Sequence, residues 1–367
     1  MKIKHIVIVG GGSSGWLTAL NFYQKTLDMK ITVIATPDIP IIGVGESTTG
    51  KCNDIIGLKS GFFHIDEADF LRQTGSTYKM GIKHTDWREV GDSFMSPLGD
   101  EYLNDSFYPH ETYDYYRIYH VAHQLKYVQQ QAQFMLNDRL PFLWVDEDDP
   151  YVAEFDNKFG KIDAQFHHMA YHLNSYEVGQ YIKNQVLSKS KGAVTYIEDR
   201  VVGVEKSEDG FIKSLVTQNG LNIKGDLFVD CSGFSRVLIG KEFENRFISY
   251  ENDLLVNRAF PFRFDNDEDT IIKNYTEAVA KKYGWMWKIP LQHRTGYGYV
   301  YDDNYITPDQ AQEEIEKDLG RKIEPQSDLK FTPGRMENYW IKNLISTGLS
   351  SAFVEPLEAT AIHMTIV

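Results

Sequence analysis

From Ile3 to Val9 the chain is mostly apolar and then stops at Gly10, which predicts a strand buried inside a parallel sheet. Trp16 to Leu27 changes to helical spacing, and Ile31 to Ala35 returns to a short apolar run, so the first 35 residues read as a βαβ unit. Ser76 to Trp87 alternates as a strand does, which sets Lys79 and Lys83 on one face. Tyr171 to Val186 has helical periodicity, and Gly192 to Val204 reads as strand, turn and strand. Gly210 and Gly220 punctuate a hairpin region that ends in Asp226-Leu227-Phe228-Val229-Asp230-Cys231-Ser232-Gly233-Phe234. Gly284 to Pro290 alternates again, with Trp285, Trp287 and Ile289 on one side, and a Tyr-rich strand follows at Tyr297 to Tyr301. A helix comes next, with Thr307 as its N-cap, Pro308 at its first position and Gly320 closing it.

Composition narrows the class. With 367 residues, 42% of them apolar, the chain can bury a large core, as one domain or two interleaved ones. A net charge of −14 repels phosphate backbones and anionic lipid, so nucleic acid is not an expected partner. Met1 leads directly into the first strand without a leader-like segment, and no run reaches membrane-spanning length, which predicts a cytoplasmic protein. Cys52 and Cys231 lie far apart without metal-ligand spacing, so both are expected to be reduced and no metal is expected. No internal repeat, low-complexity tract or linker interrupts the chain.

Chemistry first shows in Gly10-Gly11-Gly12-Ser13-Ser14-Gly15, set between a strand and a helix. In that setting one glycine permits the turn, one lets the backbone approach a pyrophosphate, and one allows the helix to pack closely, with the helix N-terminus facing the phosphates. The acidic residue that normally ends the second strand is replaced by Ala35-Thr36, with Asp38 slightly further on, so ribose contacts should be weaker or come from elsewhere. Taken alone, Ile42-Gly43-Val44-Gly45-Glu46-Ser47-Thr48 also suits an ordinary glycine-rich turn, and Trp285 with Trp287 also suits one buried face of a strand. Periodicity does not choose between Lys79 and Lys83.

Together these motifs resemble the flavin-dependent halogenases, and the resemblance runs from Met1 to Val367. It is carried by Gly10 to Gly15, by the loop Ile42 to Thr48, by Lys79-Met80-Gly81-Ile82, by Asp226 to Phe234, and by Gly284-Trp285-Met286-Trp287-Lys288-Ile289-Pro290. Gly334-Arg335, Trp340, Asn343, Gly348 and the element Glu355-Pro356-Leu357-Glu358 complete it. It implies an FAD-binding Rossmann-like α/β fold of the glutathione-reductase and aromatic-hydroxylase type, with a substrate-facing sheet and helices interleaved. The flavin segments would be about 1–90, 165–240 and 330–367, and the substrate-facing segments about 91–164 and 241–329.

The resemblance also implies roles. FAD would be held by Gly10, Gly12, Ser13, Ser14, Gly15, Gly43, Gly45, Glu46, Ser47, Val201, Gly233, Gly348 and Leu349. Reduced FAD, O2 and halide would give a hypohalous oxidant, kept apart from the substrate by Trp285 and Trp287, received by Lys79, and assisted by Glu358 at the attacked ring. The halide would sit at Thr360 and Ala361, where Ala replaces a glycine of chlorinating relatives and favours bromide or iodide over chloride. A single dinucleotide fingerprint implies that a separate flavin reductase supplies FADH2. Ser96-Pro97-Leu98 stands where tryptophan-acting members carry a His-Pro-Phe contact, and the chain stops at Val367 where members usually continue, so another electron-rich aromatic is expected as substrate. An FAD-dependent aromatic monooxygenase, or a flavin-binding protein with a decayed halogenase site, would share the glycine motifs without a use for Trp285, Trp287, Lys79 and Glu358 together.

Overall fold

The N-terminal apolar run forms β1 (His5–Val9), four of whose five residues are buried, as expected of an interior parallel strand. The computed structural model describes residues 3–26, 28–37, 45–49, 65–98, 134–138 and 169–354, together with Leu357, Ile362 and Thr365. β1 lies between β2 (Lys30–Ala35) and β12 (Leu227–Asp230), parallel to both. The sheet is extended by β8 (Val194–Glu198) beside β2, and by β21 (Leu344–Ser346) and the antiparallel edge strand β20 (Trp340–Ile341) beside β12. Strand order thus places the segment around Gly233, more than 200 residues away in sequence, next to the glycine turn.

Helices α1 (Ser13–Lys25) and α3 (Ser175–Lys189) cover one face, where Trp16, Leu20, Ile182 and Val186 pack on Ile6, Ile8, Ile31 and Val33. On the other face Val7, Val9, Ile34 and Phe228 meet Leu215, Leu238 and Ile239. Leu215 comes from a small meander of β9 (Val201–Lys206), β10 (Ile212–Thr217) and β11 (Asn222–Lys224), whose turns use Gly210 and Gly220 at positive φ. The pair predicted between Gly192 and Val204 is therefore β8 and β9, but the two belong to different sheets.

Two helix predictions need correction. α1 begins at Ser13 rather than Trp16, because Gly12 takes the N-cap position and Ser13 and Ser14 already have helical geometry; it ends at Lys25, and Leu27 lies outside the described residues. The Tyr171–Val186 helix is two elements: β7 (Ala170–Leu173), a strand with all four residues buried, and α3, which starts after Asn174. A strand buried on both faces has no period-two pattern, so its residues blend into the helical spacing that follows.

The second large sheet has seven strands in the order β18 (Leu329–Lys330), β14 (Arg258–Asp265), β17 (Arg294–Tyr301), β16 (Gly284–Pro290), β15 (Tyr275–Lys281), β5 (Gly81–Thr85) and β6 (Ser93–Pro97). α4 (Pro308–Leu319) packs Ala311 and Ile315 against Phe260, Tyr299 and Tyr301 of this sheet. Thr307 and Gln310 form a reciprocal capping box at its start and Gly320 closes it in the left-handed region, as the sequence predicts. A short sheet of β3 (Glu46–Ser47), β7 and β4 (Thr77–Lys79) bridges the two large ones.

Ser76 to Trp87 is not one strand. At Met80 the backbone N–H donates to Asn274 and the carbonyl accepts from Leu98, so the chain changes partners and passes from the bridging sheet to the seven-stranded one. Lys79 and Lys83 consequently lie in different sheets rather than on one face. β13 (Phe247–Ser249), β19 (Gly334–Met336) and β22 (Ala352–Phe353) form a last small sheet. Among the described residues, no helix is long and apolar enough to cross a membrane, and no cluster of His, Cys, Asp or Glu could hold a metal ion.

Candidate active site

The glycine turn is shaped for close backbone approach. Gly10 has φ +124°, and a Cβ there would lie 2.2 Å from the Cys231 carbonyl oxygen; a Cβ on Gly15 would lie 1.9 Å from the Gly10 carbonyl oxygen. Gly12, by contrast, faces open space, with nothing within 4 Å of a Cβ placed on it. No side chain caps α1, so the N–H groups of Ser13 and Ser14 are left at a helix N-terminus beside that space. This is a cradle that a pyrophosphate fits. Ala35, where an acidic residue is usual, instead closes on Gly11: a Cβ on Gly11 would lie 2.6 Å from the Ala35 Cβ.

Two distant segments meet this turn. Gly233 opens a 3-10 turn at φ +65°, preceded by Asp230, whose carboxylate accepts from the backbone N–H groups of Ser232, Leu238 and Ile239 and so shapes the turn. Gly348 and Leu349 begin a second 3-10 turn, in which a Cβ on Gly348 would lie 2.5 Å from Ser14 Oγ. Val201 starts β9 and is half-buried against the cluster that holds Val9 and Ile34. Cys231 is buried and unbridged, and burial pushes its thiol up to about 12, which suits the reduced, inert role expected of it.

Gly45 has φ +81° and sits against Ile289 of β16, with Ile289 Cγ2 3.6 Å from a Cβ placed on it, so the expected flavin loop touches the tryptophan strand. Glu46 and Ser47 form β3; burial raises the Glu46 carboxyl above its ordinary pKa, opposed by a hydrogen bond with Ser175. Ser47 and Thr48 are buried, and Thr48 is bound to Tyr171 through both its backbone and its hydroxyl. Gly43 lies outside the described residues, as do Asp38 and Cys52.

Burial separates the two candidate lysines. Lys79 is 0% exposed, and its Nζ donates to the Thr48 carbonyl oxygen at 3.1 Å. Lys83 is part-exposed and sits 3.5 Å from Glu277, which Lys288 also meets at 2.9 Å. Burial works against ionisation of Glu277, but Lys288, Thr85 and Lys83 together hold its carboxyl below the usual range. Beside Lys79 stands His172, fully buried, its pKa lowered well below the ordinary value by burial and by the lysine's charge. Sequence reasoning missed His172, and with it Thr77 and Thr276; the available signal was the short apolar run Met169 to Leu173, followed by Asn174 and Ser175 at the start of a helix.

Trp285 and Trp287 do share a face of β16, with ring centroids 6.0 Å apart, and both are buried in a cluster with Ile82, Ala278, Ile289 and Val300. Phe353 and Leu357 pack on the same cluster. Gly298 on β17 makes room for the Trp287 ring, which would lie 2.0 Å from a Cβ at that position. Ser96 and Pro97 pair with Ile82 and Gly81 on the edge strand, and Leu98 donates to the Met80 carbonyl, one residue from Lys79. Glu358, Thr360 and Ala361 lie outside the described residues.

The chain as a whole has relatives among known proteins. The tryptophan halogenase family model matches residues 5–367. The chain is 33% identical to tryptophan 7-halogenase RebH of Lentzea aerocolonigenes, over 99% of this chain and 68% of the relative, and 34% identical to tryptophan 6-halogenase ThaL of Streptomyces albogriseolus at the same coverages. Among solved structures it is similar to Xcc4156, a flavin-dependent halogenase from Xanthomonas campestris, with a TM-score of 0.82 and 28% identity over 100% of this chain and 69% of that one. It is also similar to BrvH, a flavin-dependent halogenase from Brevundimonas sp. BAL3, with a TM-score of 0.81 and 29% identity over 99% and 70% of the two chains. The chain belongs to the tryptophan halogenase family. The fold is the FAD-binding Rossmann-like fold of flavin-dependent halogenases, and the protein is an oxidoreductase of that class. Such enzymes act on aromatic substrates with reduced FAD from a separate flavin reductase, together with halide and O2.

Proposed function

We propose that this halogenase passes its hypohalous oxidant to Lys79 for electrophilic halogenation of an electron-rich aromatic other than free tryptophan. The observation that carries the reading is the complete burial of Lys79 with its Nζ on the carbonyl of Thr48, the last residue of the expected flavin loop. A buried ammonium is costly, and a lysine kept in such a place usually has work that needs a dry amine.

The flavin-binding segments are about 1–90, 165–240 and 330–367, and the substrate-facing ones about 91–164 and 241–329. When bound, reduced FAD supplies with O2 and halide the oxidant itself. The chain's own residues then guide it. Gly10, Gly12, Ser13, Ser14 and Gly15 would hold the pyrophosphate, and Gly43, Gly45, Glu46, Ser47, Val201, Gly233, Gly348 and Leu349 would hold the rest of the FAD. Trp285 and Trp287 exclude the aromatic substrate from the flavin, so a small oxidant crosses and the organic ring does not. Lys79 Nζ hydrogen-bonds the oxidant or takes up its halogen, and Glu358 orients it or accepts the ring proton. Halide sits at Thr360 and Ala361, where the added Cβ loosens the convergence of N–H groups and favours the more weakly hydrated bromide or iodide over chloride.

Ser96, Pro97 and Leu98 border the substrate, one residue from Lys79 along the Met80 bridge. They replace the contact of tryptophan-acting relatives with an unlike set, so indoles, phenols or anilides without the amino-acid group fit better. A competition among these and tryptophan, with FADH2 and equal chloride, bromide and iodide, tests the reading. Brominated or iodinated simple aromatics are expected; chlorotryptophan as the main product would overturn both preferences.

A further inference from the structure

His172 sits at the centre of the bridging sheet, opposite Ser47 on one side and Thr77 on the other. Four hydrogen bonds run through this row. Ser47 Oγ lies 2.9 Å from Thr276 Oγ1, Thr276 Oγ1 is 3.1 Å from His172 Nε2, His172 Nδ1 is 3.0 Å from Thr77 Oγ1, and Thr77 Oγ1 is 2.6 Å from the Pro290 carbonyl oxygen. The proton positions follow from the far end. A carbonyl oxygen can only accept, so the single Thr77 hydroxyl proton goes to Pro290. Thr77 Oγ1 can then only accept from the ring, and Nδ1 must carry a hydrogen. In a neutral imidazole Nε2 is consequently an acceptor, so Thr276 donates to it and Ser47 donates to Thr276. Every hydroxyl in the chain has one direction.

We propose that His172 is a positioning residue, locked as the Nδ1–H tautomer, that couples the flavin loop at Ser47 to the strand carrying Lys79. The coupling rests on the Lys79 reading above, whereas the tautomer does not. The chain of bonds begins next to Gly45 and Glu46. It ends on Thr77, two residues before Lys79 on the same side of β4, and on Pro290, the last residue of the strand that bears Trp285 and Trp287. Loop, lysine and tryptophan wall are thus held to one ring. The opposite tautomer would leave Thr77 without a ring donor, face its hydroxyl with a bare Nδ1, and turn the Thr276 hydrogen from Nε2 to Ser47. Protonation of both nitrogens would likewise turn Thr276 to Ser47 and would add a buried cation beside Lys79. Buried networks of this kind tolerate one arrangement, and a site held through them loses precision when a member is removed.

The first test is nitrogen NMR of the flavin-free full chain labelled at histidine, with His172→Phe used to assign the signals. The expected result is a protonated Nδ1 and a bare Nε2 at neutral pH; an Nε2–H tautomer or a doubly protonated ring overturns the proposal. The second test follows single turnovers with FADH2, bromide and indole, reading flavin reoxidation, bromoindole and hypobromite trapped by an added thioether. His172→Phe and Thr276→Val should each leave reoxidation within about twofold, while the share of oxidant ending in bromoindole falls about tenfold for the first and less for the second. The double variant should be no worse than His172→Phe, because the members act as one unit. Unchanged coupling in Thr276→Val and His172→Phe overturns the positioning role, and if His172→Phe does not fold, Thr276→Val decides the role and His172→Asn assigns the ring signals. Retained bromination in Lys79→Ala would instead sink the lysine relay and leave the tautomer result standing.

Discussion

Glu46 is half-buried and His172 fully buried in the bridging sheet, and desolvation shifts them in opposite directions. The Glu46 carboxyl is raised above 4.5, so the folded state holds its proton more tightly than the unfolded chain does. Its contribution to stability is full below the unfolded pKa and is lost as pH rises through the folded one. Glu46→Gln, which does not titrate, should match the wild type at about pH 4 and become the more stable of the two toward about pH 8, in urea denaturation of the flavin-free protein. A gap that is constant with pH, or that favours the wild type at the alkaline end, would contradict the assignment. The sequence made some residues legible and hid others for a definable reason. Gly10, Gly12 and Gly15 are local, each answering to its own turn. Lys79 could not be told from Lys83 by spacing, because the partner exchange at Met80 depends on Asn274 and Leu98. His172 was hidden further, since its partners Thr77 and Thr276 lie 95 and 104 residues away and leave no local pattern.

Elements were read best where one chain segment carries all its own instructions. The Thr307 to Gly320 helix appears with its cap, its first-turn proline and its terminating glycine where the sequence set them. Gly284 to Pro290 likewise keeps its alternation. β7 was absorbed into a helix because its four residues are buried on both faces, so neither alternation nor length marks it. β16 and β17 also contain a fit that spacing does not reveal, the Trp287 ring lying over Gly298. Gly298→Ala would force the Cβ into that ring, and should destabilise the protein by on the order of 1–3 kcal/mol and shift the tryptophan emission. Gly203→Ala is the control: its Cβ would meet Val216 at an ordinary 3.8 Å and should cost much less. Equal losses in the two variants would mean that the ring contact at Gly298 is not what fixes Trp287.

At the scale of the whole molecule, the order of strands explains why segments far apart in sequence act together. β12 beside β1 joins the Gly233 turn to the glycine cradle, and the bridging sheet joins that half to the tryptophan strand. The fold class was legible because the βαβ start and the family motifs point the same way; the bridging sheet was not, because two of its strands have only two or three residues. The molecule carries one dinucleotide cradle among its described residues, so electrons should come from a partner. NADH alone should leave the FAD of the purified protein oxidised over minutes, and adding a flavin reductase should restore turnover; rapid reduction by NADH without one would contradict this. The central claim is that the oxidant is made at the flavin and used at Lys79, and it is tested most directly by Lys79→Ala in single turnovers with FADH2, O2 and bromide. FAD affinity and flavin reoxidation should stay close to wild type, with halogenated product abolished. Near wild-type halogenation in Lys79→Ala, above all with its loss in Lys83→Ala, would contradict it.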